Sequence, residues 1–536
     1  MTQPGGSSRV RNNALLGLAL TTVVIHLLCA NGYGYFRDEL YAIACSKHLA
    51  WGYVDQPPFS EFVLALIGHV LGYTEWALRL LPAACGGLVT LLVGLIAREL
   101  GGGRFAQTLA ATAYMAGGVY LAVTGYYSMN CFDHLFWALD IYLLVRILKG
   151  GDTRLWVLFG LVAGLGLENK YSMGFFGLGL VLGLALTPAR RHLFDKWLWV
   201  GGVVAVLLFL PHVLWEMRHH FPTAEFIRNA TLKKNLPMSP WSFLLECVLL
   251  VHPFTLPVWL AGLIYLFRGS KAGIPFRTGE VRKGGSGAPT PHANPQVCYD
   301  FHTLGWIYLA VLAVLLSTNS KPYYSAPAFL ILLPAGGVAI DALLSRVSWK
   351  WPKPVCVSTL ALGGAMLAPL ALPVLPVETL IKYQSGIGIT VKTEERGGES
   401  LKIPQVLADR FGWPELTAQV AQVYDQLTPE EKRNCVIGAS NYGEAGAIDL
   451  FGKKYGLPAA ISTHNNYWFW GPGDKPGQIL LVVGGSLKNY EELYGDVRQI
   501  ASVPQSYGPE SGTPIFLCRK PKRSLREYWP EHHDFI

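Results

Sequence analysis

Long apolar runs separated by short, basic loops recur from residue 14 to residue 375, and they constrain the fold more than any other feature. A helix that crosses a bilayer needs about 20 mostly apolar residues, and many of these runs approach that length. Charged residues make up only 15% of the 536 residues, against about 25% in soluble proteins. The sequence therefore predicts a mainly α-helical protein that crosses the membrane several times.

We predict about 11 membrane spans from these runs. They are residues 14–30, 80–97, 105–123, 134–148, 155–167, 172–186, 197–215, 243–267, 302–316, 325–344 and 355–375. The run 59–72 is shorter and contains Glu61 and His69, so we expect an interfacial or re-entrant helix there. Arg9 and Arg11 precede the first span, which favours a cytoplasmic start and places residues 32–58 outside.

The excess of positive charge has a topological explanation. The net charge is +8, but lysine and arginine lie mainly in short loops, as the positive-inside rule requires. No basic stripe with interleaved aromatic residues is present, which argues against nucleic-acid binding. Residues 269–295 are rich in glycine, proline and basic residues and predict a flexible cytoplasmic linker.

Residues 376–536 are predicted to form a second, soluble α/β domain on the outer side. Strand-like segments alternate there with helix-like ones. The strands are expected at 435–439, 459–462, 479–483 and 514–518, and the helices at 415–427, 444–455 and 488–500. Residues 438–446 resemble a phosphate-binding turn only weakly, and a strand-to-helix turn capped by Ser440 or Asn441 is favoured.

Cysteine usage indicates neither a disulfide framework nor a zinc site. The nine cysteines include several within apolar runs, and no CxxC, HExxH or zinc-like spacing is present. Cys435 and Cys518 lie in strand-like segments and could pair if the tail faces an oxidising compartment.

The best candidate for chemistry is the polar stretch 33–58, directly after the first apolar run. Arg37, Asp38 and Glu39 are adjacent there, and Asp55-Gln56 precedes two prolines. Neighbouring carboxylates at a membrane surface are costly unless they are paired or used. The alternative is a solvated loop with weak surface ion pairs.

Other polar groups are expected on the same outer face, and each has a structural alternative. The alternatives are an N-cap role for Asp133, lysines that extend to the lipid headgroups, and a loop 215–229 that is only solvated. The candidates are Asp133, His134, Lys170, Arg218, His220, Lys321, Tyr323 and Tyr324.

Several stretches resemble glycosyltransferase family 39, the polyprenyl-phosphate-sugar transferases that include protein O-mannosyltransferases and lipid A aminoarabinose transferases. The resemblance is strongest at residues 33–58, 128–135, 215–229 and 439–473. It departs from the pattern in two places: no histidine precedes the acidic pair, and Gln56 stands where the aminoarabinose transferases have lysine. Neither substrate is therefore carried over.

The resemblance implies a GT-C type transmembrane domain over residues 1–375 and an extracytoplasmic domain over 376–536, in the plasma (inner) membrane. It implies transfer of a sugar from a polyprenyl-phosphate donor to a hydroxyl of a lipid, glycan or protein acceptor, with inversion. Asp38 would be the general base, and Glu39 and Asp133 would orient the acceptor or Asp38. Lys170, Lys321 and Arg37 would neutralise the leaving phosphate.

Tyr323 and Tyr324 are assigned to the lipid phosphate through this resemblance, and the remaining candidates to substrate binding. These are Tyr41, Asp55, Gln56, His134, Arg218 and His220. No cofactor is required, although Asp38 and Glu39 could instead bind Mg²⁺ or Mn²⁺.

Two other functions compete with the transferase. A flippase or exporter of lipid-linked sugars predicts charged residues in the middle of the membrane, as at Asp140 and Arg146, but most acidic candidates lie at the outer boundary. A membrane sensor predicts that Asp38 is dispensable and the tail is not.

Overall fold

A computed structural model describes residues 13–268, 300–391 and 401–536. The predicted linker at residues 269–295 and the basic residues Arg9 and Arg11 lie outside these ranges. Within them, helices dominate the chain up to residue 386, and a mixed sheet appears only after residue 435.

The first part of the chain is a helical bundle, numbered here in chain order. Its helices are α1 Asn13–Leu28, α2 Arg37–Lys47, α3 Phe59–Leu71, α4 Glu75–Glu99, α5 Arg104–Ala116, α6 Gly118–Val123, α7 Met129–Leu148, α8 Leu155–Leu167, α9 Ser172–Ala185, α10 Lys196–Arg218, α11 Pro222–Asn229, α12 Pro240–Val251, α13 Leu256–Arg268, α14 His302–Ser317, α15 Ala326–Leu344, α16 Pro352–Leu367 and α17 Val377–Gly386. Helices α4 and α15 are central: α4 packs against α1, α5 and α7, and α15 packs against α5 and α13.

Four helical segments are long and apolar enough to cross a membrane, or six if each of two bent pairs counts as one span. The four are Glu75–Glu99, Lys196–Arg218, Pro322–Leu344 and Pro352–Leu370. The bent pairs are Ser172–Ala185 with Pro188–Phe194, at 112°, and Pro240–Val251 with Pro253–Arg268, at 96°. The count of about 11 spans stays a prediction, because several apolar runs form helices shorter than a bilayer requires.

Two of the sequence predictions illustrate why the number of predicted spans exceeds the number of helices that are long enough to cross a membrane. The run 105–123 is one span by hydropathy, but its helix breaks between Ala116 and Gly118. The run 59–72 forms the 13-residue helix α3, which is too short to cross alone. Its shortness agrees with the expected interfacial or re-entrant helix.

The last part of the chain folds around a five-stranded sheet. Its helices are α18 Gln405–Ala408, α19 Trp413–Asp425, α20 Pro429–Asn434, α21 Tyr442–Phe451, α22 Asn466–Trp470, α23 Leu487–Leu493 and α24 Leu525–Tyr528, and its strands are β1 Cys435–Ala439, β2 Ala460–Ile461, β3 Ile479–Val483, β4 Tyr494–Ser502 and β5 Pro514–Pro521. The strand order is β2-β1-β3-β5-β4. β1 is parallel to β2 and β3, whereas β5 is antiparallel to β3 and β4.

All four predicted strands are present, but the predicted helix at 488–500 is wrong in its second half. The helix α23 ends at Leu493, and the chain continues directly as strand β4. β4 is an edge strand that pairs only with β5 in the described sheet, from Tyr494 to Ser502. This pairing is non-local, so the polar sequence of β4 did not reveal it.

The disulfide considered between Cys435 and Cys518 is not formed. Both cysteines are buried and free. Cys435 lies on β1 and Cys518 on β5, and β3 separates these two strands in the sheet. Two intervening strand spacings of about 4.8 Å each hold their Cα atoms beyond disulfide reach.

Helix α2 belongs to two parts of the molecule at once. Its residues Leu40, Tyr41, Ala44 and Cys45 lie in the same hydrophobic core as the interior of the C-terminal sheet. Glycine lets α21 approach it closely, because a Cβ at Gly446 would lie 2.9 Å from the carbonyl carbon of Leu40. The C-terminal part therefore packs directly on the stretch that the sequence marked for chemistry.

Candidate functional site

The acidic pair lies in the first turn of α2, where the helix dipole favours negative charge. Phe36 is the N-cap residue, and its backbone amide donates to Glu39 Oε2 at 2.8 Å. Asp38 and Glu39 are one position apart, so they point in different directions from the helix. The structure gives them different environments.

Glu39 is completely buried and fully paired. Arg79 donates to it from Nη2 at 2.7 Å and from Nε at 3.1 Å. The backbone amide of Tyr127 donates to its Oε1 at 2.8 Å. Burial opposes ionisation of Glu39, but the charge and hydrogen bonds of Arg79, with the charge of Arg410 and the hydrogen bond from Tyr127, together outweigh this effect, so the pKa of Glu39 is lowered. With its oxygens occupied in this way, Glu39 anchors α2 to α4 and to the turn before α7.

Asp38 has its side chain 42% exposed. Its Oδ1 accepts a hydrogen bond from the hydroxyl of Tyr442 at 3.0 Å and lies 3.8 Å from Nε of Arg37. Arg37 also reaches Oδ2 of Asp409 at 3.5 Å. Asp38 is thus a held but accessible carboxylate, which is what a general base requires.

A second carboxylate, Asp55, lies beside this group. Tyr41 donates to Asp55 Oδ1 at 3.1 Å, and the side chain of Asn466 accepts from the backbone amide of Val54 at 2.7 Å. Burial, with a smaller contribution from the nearby charge of Asp38, raises the pKa of Asp55 to about 6. Both carboxylates are therefore within electrostatic range of each other.

A cluster of polar and aromatic side chains surrounds the ammonium group of Lys170. Its Nζ donates to Asn130 Oδ1 at 2.6 Å and lies 3.6 Å from Asp133 Oδ2. The same Nζ lies 5.6 Å from the ring centre of Tyr323 and 5.1 Å from that of Tyr324, within the range of cation–π attraction. Of the predicted groups, the structure brings these four side chains together: Lys170, Asp133, Tyr323 and Tyr324.

Tyr323 connects the two groups. The Asp38 carboxylate interacts electrostatically with the phenols of Tyr126 and Tyr323, and Tyr323 in turn faces Lys170. A carboxylate and a half-buried cation therefore both interact with one tyrosine. A hydroxyl to be activated and a phosphate to be neutralised match this arrangement.

Asp133 is not a helix cap, contrary to the structural alternative. Ser128 is the N-cap of α7, and Asp133 lies inside the helix, buried. It accepts a short hydrogen bond from Ser172 Oγ. Its role in the structure is to hold Lys170.

The remaining candidates are more peripheral. His134 is buried with its ring against Tyr120, at 5.4 Å between ring centres, and Gln56 donates to Glu61. Lys321 starts the turn Pro322–Ser325 that presents the two tyrosines. Arg218, the last residue of α10, and His220, just after it, are exposed, and among the described residues neither side chain contacts the Asp38 group.

Sequence reasoning missed the groups that hold the site in place. Arg79, the partner of Glu39, lies in an apolar run. A single arginine there is a sequence signal for a functional or structural role, because a charge in the membrane is costly. Tyr442 and Asn466 come from the C-terminal part. Both lie in stretches that carried the family resemblance, but nothing in the sequence linked them to residues about 400 positions away.

The turn after β1 is a strand-to-helix turn, as the sequence favoured. Asn441 is the N-cap of α21, and its Oδ1 accepts from the amides of Gly443 and Glu444 at 2.9 and 3.0 Å. Glu444 completes a capping box. The glycines here serve close packing on α2.

The alternative of a bound divalent cation finds little support in side-chain positions. In residues 13–268, 300–391 and 401–536, no three His, Cys, Asp or Glu side chains are grouped so that they could hold a metal ion. Asp38 and Glu39, the pair considered for Mg²⁺ or Mn²⁺, diverge, and Glu39 is taken by Arg79.

Comparison with known proteins relates this architecture to membrane glycosyltransferases. Residues 55–215 match the family model described as dolichyl-phosphate-mannose-protein mannosyltransferase. Among curated proteins of Rhizobium johnstonii, the lipid A galacturonosyltransferase RgtD is 23% identical over 43% of this chain and 47% of its own. The lipopolysaccharide core galacturonosyltransferase RgtA is 28% identical over 33% and 36%. The aligned regions span less than half the length of these relatives.

Solved structures extend the likeness to almost the whole chain. The crystal structure of ArnT from Cupriavidus metallidurans in the apo state matches with a TM-score of 0.56 at 16% identity, over 94% of this chain and 97% of ArnT. The structure of the same protein bound to undecaprenyl phosphate matches with a TM-score of 0.53 over the same shares. The resemblance found in the sequence is confirmed: the chain has the GT-C fold of the ArnT structures, and its residues 55–215 are similar to the dolichyl-phosphate-mannose-protein mannosyltransferase family model.

Proposed function

We propose that this protein is an integral-membrane glycosyltransferase that moves a sugar from a polyprenyl-phosphate donor to a hydroxyl of an acceptor. The observation that carries the proposal is that one accessible carboxylate, Asp38, and one cation, Lys170, both interact with Tyr323. Sugar transfer from a lipid phosphate needs these two functions side by side. The undecaprenyl phosphate bound to ArnT, and the dolichyl-phosphate-mannose named in the description of the family model that matches residues 55–215, support a lipid-linked donor.

In the proposed reaction, Asp38 takes the proton of the acceptor hydroxyl. The acceptor oxygen forms a bond to the anomeric carbon as the bond from that carbon to the phosphate oxygen breaks. The electron pair leaves on the phosphate, and attack opposite the leaving group inverts the anomeric centre. Proton removal by a placed base contributes about 10² to 10⁴ in rate.

Lys170 would neutralise the charge that develops on the leaving phosphate. Asp133 and Asn130 orient its ammonium group, and the rings of Tyr323 and Tyr324 line the approach. Lys321 and Arg37 would add positive charge at the two ends of the site. Glu39 is assigned a positioning role, because its oxygens are occupied by Arg79 and by backbone amides. Asp55, with Tyr41 and Gln56, would line the sugar side.

We place the protein in the inner membrane with the site and residues 376–536 on the outer face, as the charge pattern favours. This placement explains why the donor is lipid-linked, because such a donor is presented at the membrane surface. The acceptor would be a lipid, a glycan or a protein.

The test is transfer of radiolabelled sugar from a panel of polyprenyl-phosphate sugars to membrane extract, with the unmodified protein, Asp38→Asn and the exposed control Asp425→Asn. Asparagine at position 38 still accepts the Tyr442 hydrogen bond but cannot take a proton. We expect normal transfer by the unmodified protein and the control, and a loss of about 10²-fold or more in Asp38→Asn. Equal transfer by all three would contradict the role of Asp38, and no transfer with any donor would favour the flippase or the sensor.

A further inference from the structure

Residues 534–536 form a short strap that lies beside the loop 462–466. The backbone amide of Asp534 donates to the carbonyl of Thr463 at 2.9 Å, and the amide of Asn465 donates to the carbonyl of Asp534 at 3.0 Å. The amide of Ile536 donates to Asn465 Oδ1 at 3.1 Å. These bonds tie the strap to the loop along its whole length.

The strap also reaches the helical bundle. Phe535 is buried and packs against the ring of Phe469, with 5.7 Å between the ring centres. Its carbonyl oxygen accepts a hydrogen bond from Asn229 Nδ2 at 2.9 Å. Asn229 is the last residue of α11, which follows the apolar helix α10 after a short turn. The strap therefore lies where the helical bundle meets the C-terminal part, and it bonds to both.

The loop that the strap holds has a strained backbone. Asn465 has φ +47° and ψ −132°, a conformation that residues with a side chain rarely adopt. Such a conformation costs free energy and persists only where the surrounding contacts fix it. At Asn465 both the amide and the side chain bond to the strap. The strap therefore supplies contacts that the strained residue needs.

His464, which precedes Asn465, links the strap to the proposed base. Its side chain is buried, and its Nδ1 accepts a hydrogen bond from the backbone amide of Tyr442 at 3.1 Å. Because Nδ1 accepts, the ring proton is assigned to Nε2, which donates to the main-chain oxygen of Ile536 at 2.9 Å. Tyr442 in turn donates its hydroxyl proton to Asp38. The strap is thus connected to Asp38 through one imidazole ring.

The charge state of His464 agrees with this assignment. Burial lowers the pKa of His464 to about 4, so the ring is neutral at pH 7. The bond to Ile536 and the charge of Asp534 favour the charged ring, whereas the charges of Lys234 and Arg37 oppose it. A neutral ring accepts on one nitrogen and donates from the other, as the two contacts require.

Asn466, which follows Asn465, supports the second carboxylate of the site. Its Oδ1 accepts a hydrogen bond from the backbone amide of Val54 at 2.7 Å, and its own amide donates to the hydroxyl of Tyr41 at 3.3 Å. Tyr41 donates to Asp55 Oδ1 at 3.1 Å. One strained loop therefore supports both carboxylates.

We propose that the strap is a positioning element for Asp38 and Asp55. It fixes the strained loop, and the loop orients the two carboxylates through its residues His464 and Asn466. The catalytic consequence rests on the proposed function, in which Asp38 is the base. Because the strap acts through the loop and not on a substrate, its loss lowers turnover more than it weakens binding of the donor.

The test compares the detergent-solubilised unmodified chain with a chain that ends at His533 and with His464→Gln. Glutamine keeps a donor for Ile536 but no longer places an acceptor at the Nδ1 position. His532→Gln is the matched control, because the ring of His532 stacks on Tyr528 instead, with 3.6 Å between the ring centres.

Both test variants should lower kcat for sugar transfer by about tenfold, as for the loss of one hydrogen bond to the base, and leave the KM for the donor nearly unchanged. The control should transfer sugar as the unmodified chain does. In a Tyr442→Phe background, His464→Gln should lower kcat by no more than about a further twofold, because both changes remove the same link. If the two losses multiply in the double variant, the proposal is overturned.

Hydrogen exchange measured by mass spectrometry gives a readout that needs no sugar transfer. The amides of Tyr442 and Asn465 should exchange at least about tenfold faster in the chain that ends at His533, while the amides of β3 keep their rates. His464→Gln should accelerate Tyr442 and leave β3 unchanged, and it decides the test if the shortened chain does not fold.

Unchanged exchange at Tyr442 in His464→Gln, or an equal acceleration of the β3 amides in that variant, would overturn the proposal. Absence of transfer by the unmodified chain would contradict the proposed function alone, because hydrogen exchange still tests whether the strap holds the loop.

Discussion

The hydroxyl of Tyr442 donates a hydrogen bond to the carboxylate of Asp38 at 3.0 Å, although 404 positions separate the two residues in sequence. Tyr442 is itself fixed between two rings, with its ring centre 4.6 Å from Tyr41 and 4.9 Å from His464. His464 also accepts a hydrogen bond from the backbone amide of Tyr442, at 3.1 Å. The C-terminal part thus sets the direction of the proposed base.

Tyr442→Phe should lower kcat and leave the KM for the donor nearly unchanged. The substitution removes one hydrogen bond to a charged group and keeps the stacked ring. A bond of this kind contributes about 1.5 kcal/mol at a half-exposed site, which corresponds to about a tenfold loss of rate. Initial rates of sugar transfer measure it. The control is Tyr494→Phe, a buried tyrosine whose hydroxyl donates to the carbonyl of Gly477 at 2.9 Å far from the site; an equal loss in both variants would count against a role for Tyr442.

Lys170→Met should reduce kcat/KM for the lipid-linked donor by about 100-fold or more, because the leaving phosphate loses its counter-charge. It should also weaken binding of undecaprenyl phosphate. Lys149→Met is the matched control, since Lys149 forms a comparable ion pair with Glu99 at 2.8 Å at the far end of α7. If both lysine variants retain the same activity, Lys170 does not contact the phosphate.

Glu39→Gln should destabilise the fold more than it affects chemistry directly. Removing one partner of a buried ion pair leaves Arg79 uncompensated, at a cost of about 3–5 kcal/mol. Thermal unfolding in detergent should show a clear drop in midpoint. Glu431→Gln breaks the partly exposed pair with Arg519 and should cost no more than about 1 kcal/mol. Similar midpoints for the two variants would contradict the anchoring role of Glu39.

Stability should depend on pH through Asp55. The pKa of this group is raised in the folded state to about 6 by burial, above the value of about 3.9 for an unfolded chain. The unfolded state therefore loses its proton first, and Asp55 progressively destabilises the fold as pH rises from about 4 to 6. Asp55→Asn keeps an acceptor for Tyr41 and removes the titration. We expect its unfolding midpoint to match the unmodified protein at pH 4 and to exceed it at pH 7; a constant difference across this range would refute the assignment.

The helical bundle and the position of the polar stretch follow from local sequence. Apolar runs define helices wherever they fall, and strands β1 and β3 are buried, continuous apolar segments whose bounds were predicted to the residue. Asp38 was singled out because two adjacent carboxylates after an apolar run are costly. Lys170 was found as a lysine at membrane depth, which needs an anionic partner, whereas Tyr323 was assigned through the family resemblance.

Other parts could not be predicted because they depend on contacts between distant segments. Strand β4 is stabilised by its pairing with β5. The different environments of Asp38 and Glu39 depend on Tyr442 and Arg79. The glycines at 443 and 446 looked like a weak ligand turn. A Cβ at Gly443 would lie 2.7 Å from Cγ of Arg37, which is a tertiary reason for glycine that no local pattern contains.

The double membership of α2 bears on protein engineering. The helix lies early in the chain, yet its apolar side completes the core of the C-terminal sheet. An exchange of C-terminal parts between related proteins at residue 376 would pair a foreign sheet with the native α2 and leave Leu40 and Ala44 against the wrong surface. A chimera that is to keep its activity must therefore take Arg37–Lys47 from the same protein as the new C-terminal part. The segments to be exchanged together are not contiguous in the sequence.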